Sequence, residues 1–363
     1  MSISTQRIDR FLRLMCDRGA SDLHLSVGRP PMFRQGGTLE PVRYRVLSNR
    51  DFVEFLKPIV GEERWRSFLA RGDADLAYEV PGTARFRVNL LMQERGFGAV
   101  FRVIPTRLMT FAQLGLPASV EKLCRVERGL VLVTGPTGSG KSTTLSAIID
   151  RMNEEQALHI VTIEDPIEFV HSSKRSLISQ REIGVHALSF AEAVQAAVRE
   201  DPDVILVGEM RDLETIRTAL SAAEAGFLVF GTLHTNSAAK AVDRIVNVFP
   251  QEEHEGVRSS LAESLKAALA QQLVRRRDGG RVAALEILFA SSALSTLIRD
   301  GKTAQISSLI QMGRSQGMLN MDDSLLGLHQ SEVISAEAAY EKAFDKAAFR
   351  DRLNLNDPGR SDA

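Results

Sequence analysis

What this chain has little of narrows it first. Only two cysteines, Cys16 and Cys124, occur in 363 residues. They are too few for a disulfide framework or a cysteine-built zinc site, and they fit a reducing compartment. No stretch approaches the roughly 18 uninterrupted apolar residues of a membrane-crossing helix, and no N-terminal apolar run reads as a secretory signal. The opening "MSISTQRIDRFLRLMCDRG" is instead amphipathic, with Ile8, Phe11, Leu12, Leu14 and Met15 set among Arg and Asp. Such a helix can lie on a membrane, but a stripe of this kind ordinarily packs onto its own domain. Net charge is scarce too. Lys+Arg 45 against Asp+Glu 46 leaves −1, which argues against a broad nucleic-acid-binding face. No internal repeat is found, and the seven histidines form no cluster of the kind a catalytic zinc requires. A cytoplasmic protein is expected, with no membrane insertion and no nucleic-acid partner.

What is present is ordinary for a globular chain. Apolar residues make up 44% and charged residues 25%, enough for a sizeable core, and the length allows two domains. The first hundred residues alternate short elements: a helix to about Gly19, a strand at "SDLHLSVG", and a hairpin at "MFRQGGTLEPV" turning on Gly36 and Gly37. A helical stretch runs from Ser48 through "FLKPIVGEERWRSFLARG", and "ADLAYEV", "ARFRVNLLMQ" and "GAVFRVI" follow as strands. This predicts a small α+β domain over 1–105 and a linker over 106–117. Beyond it strands and helices alternate, the pattern of a parallel sheet, giving an α/β core over 118–290. From about 251 the chain reads as mostly helical with one strand at "AALEILF", and 291–352 as a helical region. The polar, Pro/Gly-containing end, 353–363, reads as a frayed tail.

Within the core, "LVLVTGPTGSGKSTT" fits the phosphate-loop pattern G-x-x-x-x-G-K-[ST] in full. Gly135, Gly138 and Gly140 let backbone N–H groups turn inward around phosphate oxygens, and the segment Gly135, Pro136, Thr137, Gly138, Ser139, Gly140, Lys141, Ser142 and Thr143 is the expected nucleotide cradle. The helix starting near Lys141 aims its positive end at the same anion. Lys141 can reach the β- and γ-phosphates, and the Ser142 hydroxyl can ligate Mg²⁺. ATP with Mg²⁺ is the expected ligand. The context, an apolar strand before the loop and a helix after it, makes the signal specific.

Two further strands end in carboxylates: Glu164 in "IVTIEDPIEF" and Glu209 in "DPDVILVGEMRD". The carboxyl ends of parallel strands converge on the ligand crevice, so both can approach Ser142. Hydrolysis needs one carboxylate to orient the attacking water and further charge to organise the metal. We assign the first role to Glu209 and the second to Glu164, with turn-capping as the structural alternative for each. "GFLVFGTLHTNSAAKAVDR" ends another apolar strand on His234, where a side chain can touch the γ-phosphate or its water and report hydrolysis. Packing or turn-capping is the alternative.

"GPTGSGKST", "TIEDPIEF", "DPDVILVGEMRDLETIRTALSAAE" and "VFGTLHTNSAAKAVDRIVNVFP" together resemble the four boxes of the type II/IV secretion ATPases. Within them the chain is most similar to the type IV pilus retraction branch, over nearly its whole length. The resemblance implies α/β architecture with a RecA-like P-loop NTPase core, a smaller N-terminal PAS-like α+β domain and a helical C-terminal extension. It implies a homohexamer with ATP between subunits, an inner-membrane pilus platform protein as partner, and a cytoplasmic location at the base of the pilus machine. A paralogous pilus ATPase is a further possible partner. It also implies that Arg87 in "RFRVN" and Arg102 in "FRVIP" neutralise phosphoryl-transfer charge, a task suited to arginine. Arg85, on the same strand face as Arg87, competes for that role.

Departures from the pattern accompany the likeness. The chain lacks the extra N-terminal domain and four-cysteine motif of extension ATPases, which favours the retraction branch. Its "ALSTLIRD" keeps only Leu297, Ile298 and Arg299 of that branch's C-terminal helical motif, so an accessory paralogue stays open. Gly208 stands where acidic-strand motifs usually carry Asp, and Phe227 where relatives commonly carry a second His. Three readings follow: a motor ATPase, a nucleotide-gated assembly module with little turnover, and a RecA-like nucleic-acid translocase.

Overall fold

The computed structural model describes residues 5–104 and 108–353. The expected tail falls outside the described residues except at Leu353, and so do the first two residues of the expected linker. The chain forms two compact units, one of residues 1–107 with Pro166–Val170, the other of 108–165 with 171–363.

The first unit is an antiparallel sheet with helices on one face. Helix α1 (Thr5–Asp17) precedes β1 (Asp22–Ser26), β2 (Met32–Gln35) and β3 (Thr38–Pro41). Helices α2 (Asn49–Val60) and α3 (Glu62–Arg71) follow, then β4 (Asp73–Val80), β5 (Ala84–Gln93) and β6 (Gly96–Ile104). The strand order is β3-β2-β1-β6-β5-β4. The turn between β2 and β3 falls on Gly36 and Gly37, as the hairpin reading expects. Ile8, Phe11, Leu12 and Met15 are buried with Phe52, Phe55, Trp65 and the inward residues Leu23, Phe33, Phe86 and Phe101. The amphipathic first helix therefore packs its apolar stripe onto its own unit. Ser48 starts α2 with a capping box: its hydroxyl accepts from the Asp51 amide while the Asp51 side chain accepts from the Ser48 amide, satisfying two otherwise orphaned donors.

The second unit opens with two short helices, α4 (Phe111–Leu114) and α5 (Ala118–Glu121), and then alternates: β7 (Gly129–Thr134), α6 (Lys141–Glu155), β8 (His159–Glu164), β9 (Leu177–Glu182), α7 (Phe190–Ala197), β10 (Val204–Val207), α8 (Leu213–Glu224), β11 (Leu228–Leu233), α9 (Ala238–Val248) and α10 (His254–Ser264). Strands β12 (Leu265–Arg275) and β13 (Arg281–Phe289) form a hairpin, and helices α11 (Ser292–Arg299), α12 (Ile306–Met312), α13 (Met321–Gln330), α14 (Ala336–Lys342) and α15 (Lys346–Leu353) close the chain. The sheet runs β13-β12-β7-β11-β10-β8-β9, parallel except for β13 against β12. Both faces are covered: Leu130 and Leu132 of β7 enter one apolar cluster, Val131 and Val133 the other. A parallel strand buried on both faces must be apolar at every position, which is why "GLVLV" is legible as a strand. Truncating Leu132 to Ala would cost about 2–5 kcal/mol by cavity formation.

The sequence reading expects one strand after residue 251; the structure has two. The segment "LKAALAQQLVR" is built of good helix formers, but β7 on one side and β13 on the other supply it with partners along its length. Tertiary pairing overrides local propensity here. The edge strand β9, "LISQRE", also escaped, because it is short, half-exposed and lacks a clean alternation.

Among the described residues, no helix is long and apolar enough to cross a membrane.

Candidate active site

Four neighbouring parallel strands deliver the candidate residues to one edge of the sheet. In order across it, β7 runs into Gly135, β11 into His234, β10 into Gly208 and Glu209, and β8 ends on Glu164. Register fixes their level: Leu233 pairs with Thr134, and Val207 pairs with both Gly231 and Ile163. With strands about 4.8 Å apart, His234 is one strand from the phosphate loop, Glu209 two and Glu164 three, roughly 14 Å along the sheet.

The loop itself is tightly held. Gly135 has φ +151°, and a Cβ there would lie 2.3 Å from the Gln271 carbonyl oxygen and 2.5 Å from Ser139 Oγ. Only glycine fits. The Lys141 ammonium donates to the Gly135 carbonyl at 2.8 Å and the Pro136 carbonyl at 3.2 Å. Ser142 and Thr143 occupy the first turn of α6, and Pro136, Thr137 and Gly138 form the exposed outside of the loop. The Ser139 Oγ is buried with no hydrogen-bond partner among the described residues. An orphaned hydroxyl inside a phosphate-loop turn matches what a phosphate oxygen would satisfy. Residues here fit a nucleotide phosphate.

They also fit Mg²⁺. The donors available are the oxygens of Ser142, Glu209 and Glu164, the chemistry of a hard cation. Among the described residues, no three His, Cys, Asp or Glu side chains gather as a metal cage, and Mg²⁺ in phosphoryl transfer is ordinarily held by substrate phosphates with one or two protein ligands.

Glu209 and His234 are joined directly. His234 Nε2 and Glu209 Oε1 lie 2.7 Å apart, and Arg211 Nε donates to the same carboxylate oxygen. Burial pushes the Glu209 carboxyl up, but the hydrogen bonds and charges of Arg211 and His234 outweigh it and hold it below the usual glutamate range. Glu209 is therefore an ionised acceptor at neutral pH. Glu164 accepts from Thr162 Oγ1 at 2.7 Å and from Gln180 Nε2 at 3.1 Å. Gly208, where an Asp is usual, has a packing cause. A Cβ there would stand 3.0 Å from the Ile163 carbonyl oxygen and 3.3 Å from Glu164 Cα, so the strand end bearing Glu209 lies close against the one bearing Glu164.

Three structural partners of the site have no assignment from sequence. Gln271 of β12, 2% exposed, accepts from Thr144 Oγ1 and donates to the Ser139 carbonyl, both at 2.8 Å. It braces the phosphate loop from below. A lone glutamine pair inside the apolar "AALAQQLV" was the signal available. Thr134, one residue before the loop, donates to the Thr235 carbonyl at 2.6 Å and accepts from the Thr235 amide at 2.9 Å, locking the histidine's turn to the loop's strand. Arg211 is the third, readable only as part of "GEMRD".

Phe227 stands at the other end of β11. Seven residues of extended chain put it roughly 23 Å from His234, half-buried against the apolar cluster beneath α8. A side chain there does not share the site with His234.

Arg87 and Arg102 belong to the first unit, side by side on the polar face of its sheet: Arg87 pairs with Arg102, and Arg102 with Asp22. Arg102 Nε lies 2.7 Å from Asp22 Oδ1 with its side chain 69% exposed. Arg87 approaches Asp75 at 3.7 Å. Burial raises the Asp22 carboxyl, yet Ser21 and Arg102 together hold it below the usual aspartate range. Arg85 shares the face, paired with Ile104 and Glu79.

The model of the type II/IV secretion system protein family matches residues 4–337. The type IV pilus retraction ATPase PilT of Pseudomonas aeruginosa is 52% identical over 336 residues, covering 93% of this chain and 98% of that protein. The type IV pilus ATPase PilU of the same organism is 37% identical over 355 residues, covering 98% and 93%. A crystal structure of the pilus retraction motor PilT with bound ADP superposes with a TM-score of 0.87 at 41% identity, covering 96% of this chain and 98% of that one. A two-unit α/β chain with a phosphate loop, matched over nearly all its length by these proteins, belongs to the type II/IV secretion system protein family.

Proposed function

We propose that this chain is a motor ATPase that hydrolyses ATP to power type IV pilus retraction. The observation that carries the hydrolytic part is the 2.7 Å contact of Glu209 with His234 beside the phosphate loop. In this reading the loop amides and Lys141 hold the β- and γ-phosphates, and the Ser142 hydroxyl would hold Mg²⁺. When bound, that ion would neutralise phosphate charge and orient the γ-phosphoryl group. Glu209 accepts a proton from water as the water oxygen attacks the γ-phosphorus. The bond from that phosphorus to the β–γ bridging oxygen breaks, its electron pair leaves with ADP, and phosphate is released. His234 binds Glu209 through one ring nitrogen, so a change at the γ-phosphate moves the histidine and, through Thr235, the start of α9. Glu164, further along the sheet, would supply further negative charge toward that ion. Arg87 and Arg102, solvent-facing on the first unit, neutralise the developing charge, and the resemblance supports their doing so in a homohexameric ring with the nucleotide between subunits.

The retraction assignment draws on the greater likeness to PilT than to PilU, and a cytoplasmic station at an inner-membrane pilus platform goes with it. The test has two arms. Glu209→Gln should retain ATP binding and lose turnover by about 100-fold or more; turnover at the wild-type rate would remove the carboxylate from the mechanism. Deleting the gene should leave cells hyperpiliated and unable to retract. Cells without any pili would point instead to an assembly ATPase.

A further inference from the structure

We infer that Glu286 is a positioning residue for the hydrolytic step, fixing the far end of the His234 turn from β13, two strands beyond the phosphate-loop strand β7. Glu286 lies in the middle of β13, paired with Ala270, the neighbour of Gln271. It is 3% exposed, in a strand otherwise apolar around it. Its Oε1 accepts from the backbone N–H of Ala238 at 2.7 Å. Ala238 is the first residue of α9, four positions after His234. Ser237 caps the same helix by accepting from the Lys240 amide, and the carboxyl oxygen of Glu286 satisfies the amide two residues earlier. A carboxyl group at this end of a helix also sits in the favourable field of the helix dipole.

The turn from His234 to Ala238 is thereby clamped at both ends. Thr235 is tied to Thr134, immediately before the phosphate loop, by reciprocal hydrogen bonds, and Ala238 is tied to Glu286. On its far side the turn has room to move. Asn236, Ser237, Lys240 and Glu286 line a cavity of about 780 Å³ together with Arg314 and Asp322. A turn that borders open space keeps its place only through its anchors, and Glu286 is the anchor on that side. The carboxyl pKa is raised, chiefly by burial, and nearby Asp322 adds to the rise while the Ala238 hydrogen bond opposes it. Either protonation state leaves an oxygen free to accept from Ala238.

This inference rests on the ATPase reading, and its test separates the two. Wild type, Glu286→Leu and Glu286→Gln are compared in full-length protein for steady-state ATP hydrolysis and for binding of a fluorescent ATP analogue. Leu removes the acceptor while keeping the bulk; Gln keeps an acceptor oxygen in the same place. Glu286→Leu should lower kcat by about 10- to 100-fold, since misplacing a reacting group by an ångström has that scale of effect, with analogue affinity and KM within about twofold. Glu286→Gln should restore most of the rate. Should Glu286→Leu not fold, Glu286→Thr, too short to reach Ala238, takes its place with the same expectation. Unchanged kcat in Leu or Thr, a parallel loss of analogue binding, or a Gln variant as slow as Leu would each overturn the positioning role. A wild-type protein that binds the analogue but hydrolyses nothing would overturn the ATPase reading instead.

Discussion

In the antiparallel sheet of the first unit, charge stands on a face; in the mixed sheet of the second, the candidate reacting groups stand at strand ends. Arg34, Asp22, Arg102 and Arg87 form one row straight across β2, β1, β6 and β5, while the alternate residues of those strands fill the core. The second sheet is covered on both sides, so the candidate reacting groups appear where its strands stop, and the polar groups within its strands, Gln271 and Glu286, are buried supports. An open face is broad, tolerant and electrostatic, suited to meeting an anion. A strand end is narrow and set by register to fractions of an ångström, suited to making or breaking a bond.

Substitutions in each place should therefore behave differently. The largest effect is expected at a strand end. His234→Ala should lower kcat by about 100-fold with nucleotide affinity nearly unchanged; loss of affinity as well would make the histidine part of the scaffold. On the face, Arg87→Ala and Arg102→Ala should each cost about tenfold or more in turnover. Their effect on thermal unfolding should be small, since exposed ion pairs contribute roughly 0–1 kcal/mol. A large drop in unfolding temperature with turnover intact would assign them to stability alone.

Smaller still is a shift in pH dependence. Arg211 opposes the burial that raises the Glu209 carboxyl, with His234 helping, so Arg211→Ala removes the larger opposition and the Glu209 pKa rises. The carboxylate form, needed as acceptor, is then lost at a higher pH on acidification, and the acid limb of the turnover profile should move toward neutrality. An unmoved limb would mean that another group sets it. The smallest effect belongs to the end of β11 remote from the site. Phe227→His should leave turnover within about twofold, because roughly 23 Å of extended strand separates it from His234. A tenfold change in a hydrolysis assay would show that the two ends communicate.

Much of this was legible in the chain. The phosphate loop declares itself by glycine spacing, and largely apolar runs mark β7, β8, β10 and β11 because burial on both faces favours them. The Glu209–His234 pair was legible only by halves: each residue announced a strand end, but their adjacency depends on β11 lying between β7 and β10, which no local pattern encodes. Gln271 and Glu286 were visible as polar residues inside apolar segments. Their meaning was not, because one sits on a strand whose Ala, Leu and Gln content reads as helix, and both act on partners far off in sequence. Gly208 looked like a departure from a motif until the packing of β10 against β8 supplied its cause.

The division of the chain into compact units has a practical consequence for dissecting it. The polypeptide passes from the first unit to the second after residue 107, returns at Pro166, and leaves again after Val170. Ile167 and Phe169 within that return are both buried. A gene cut at the first crossing would thus not yield the N-terminal unit intact, and recombination between homologues at that point would exchange two incomplete pieces, each lacking or retaining five residues that belong with the other.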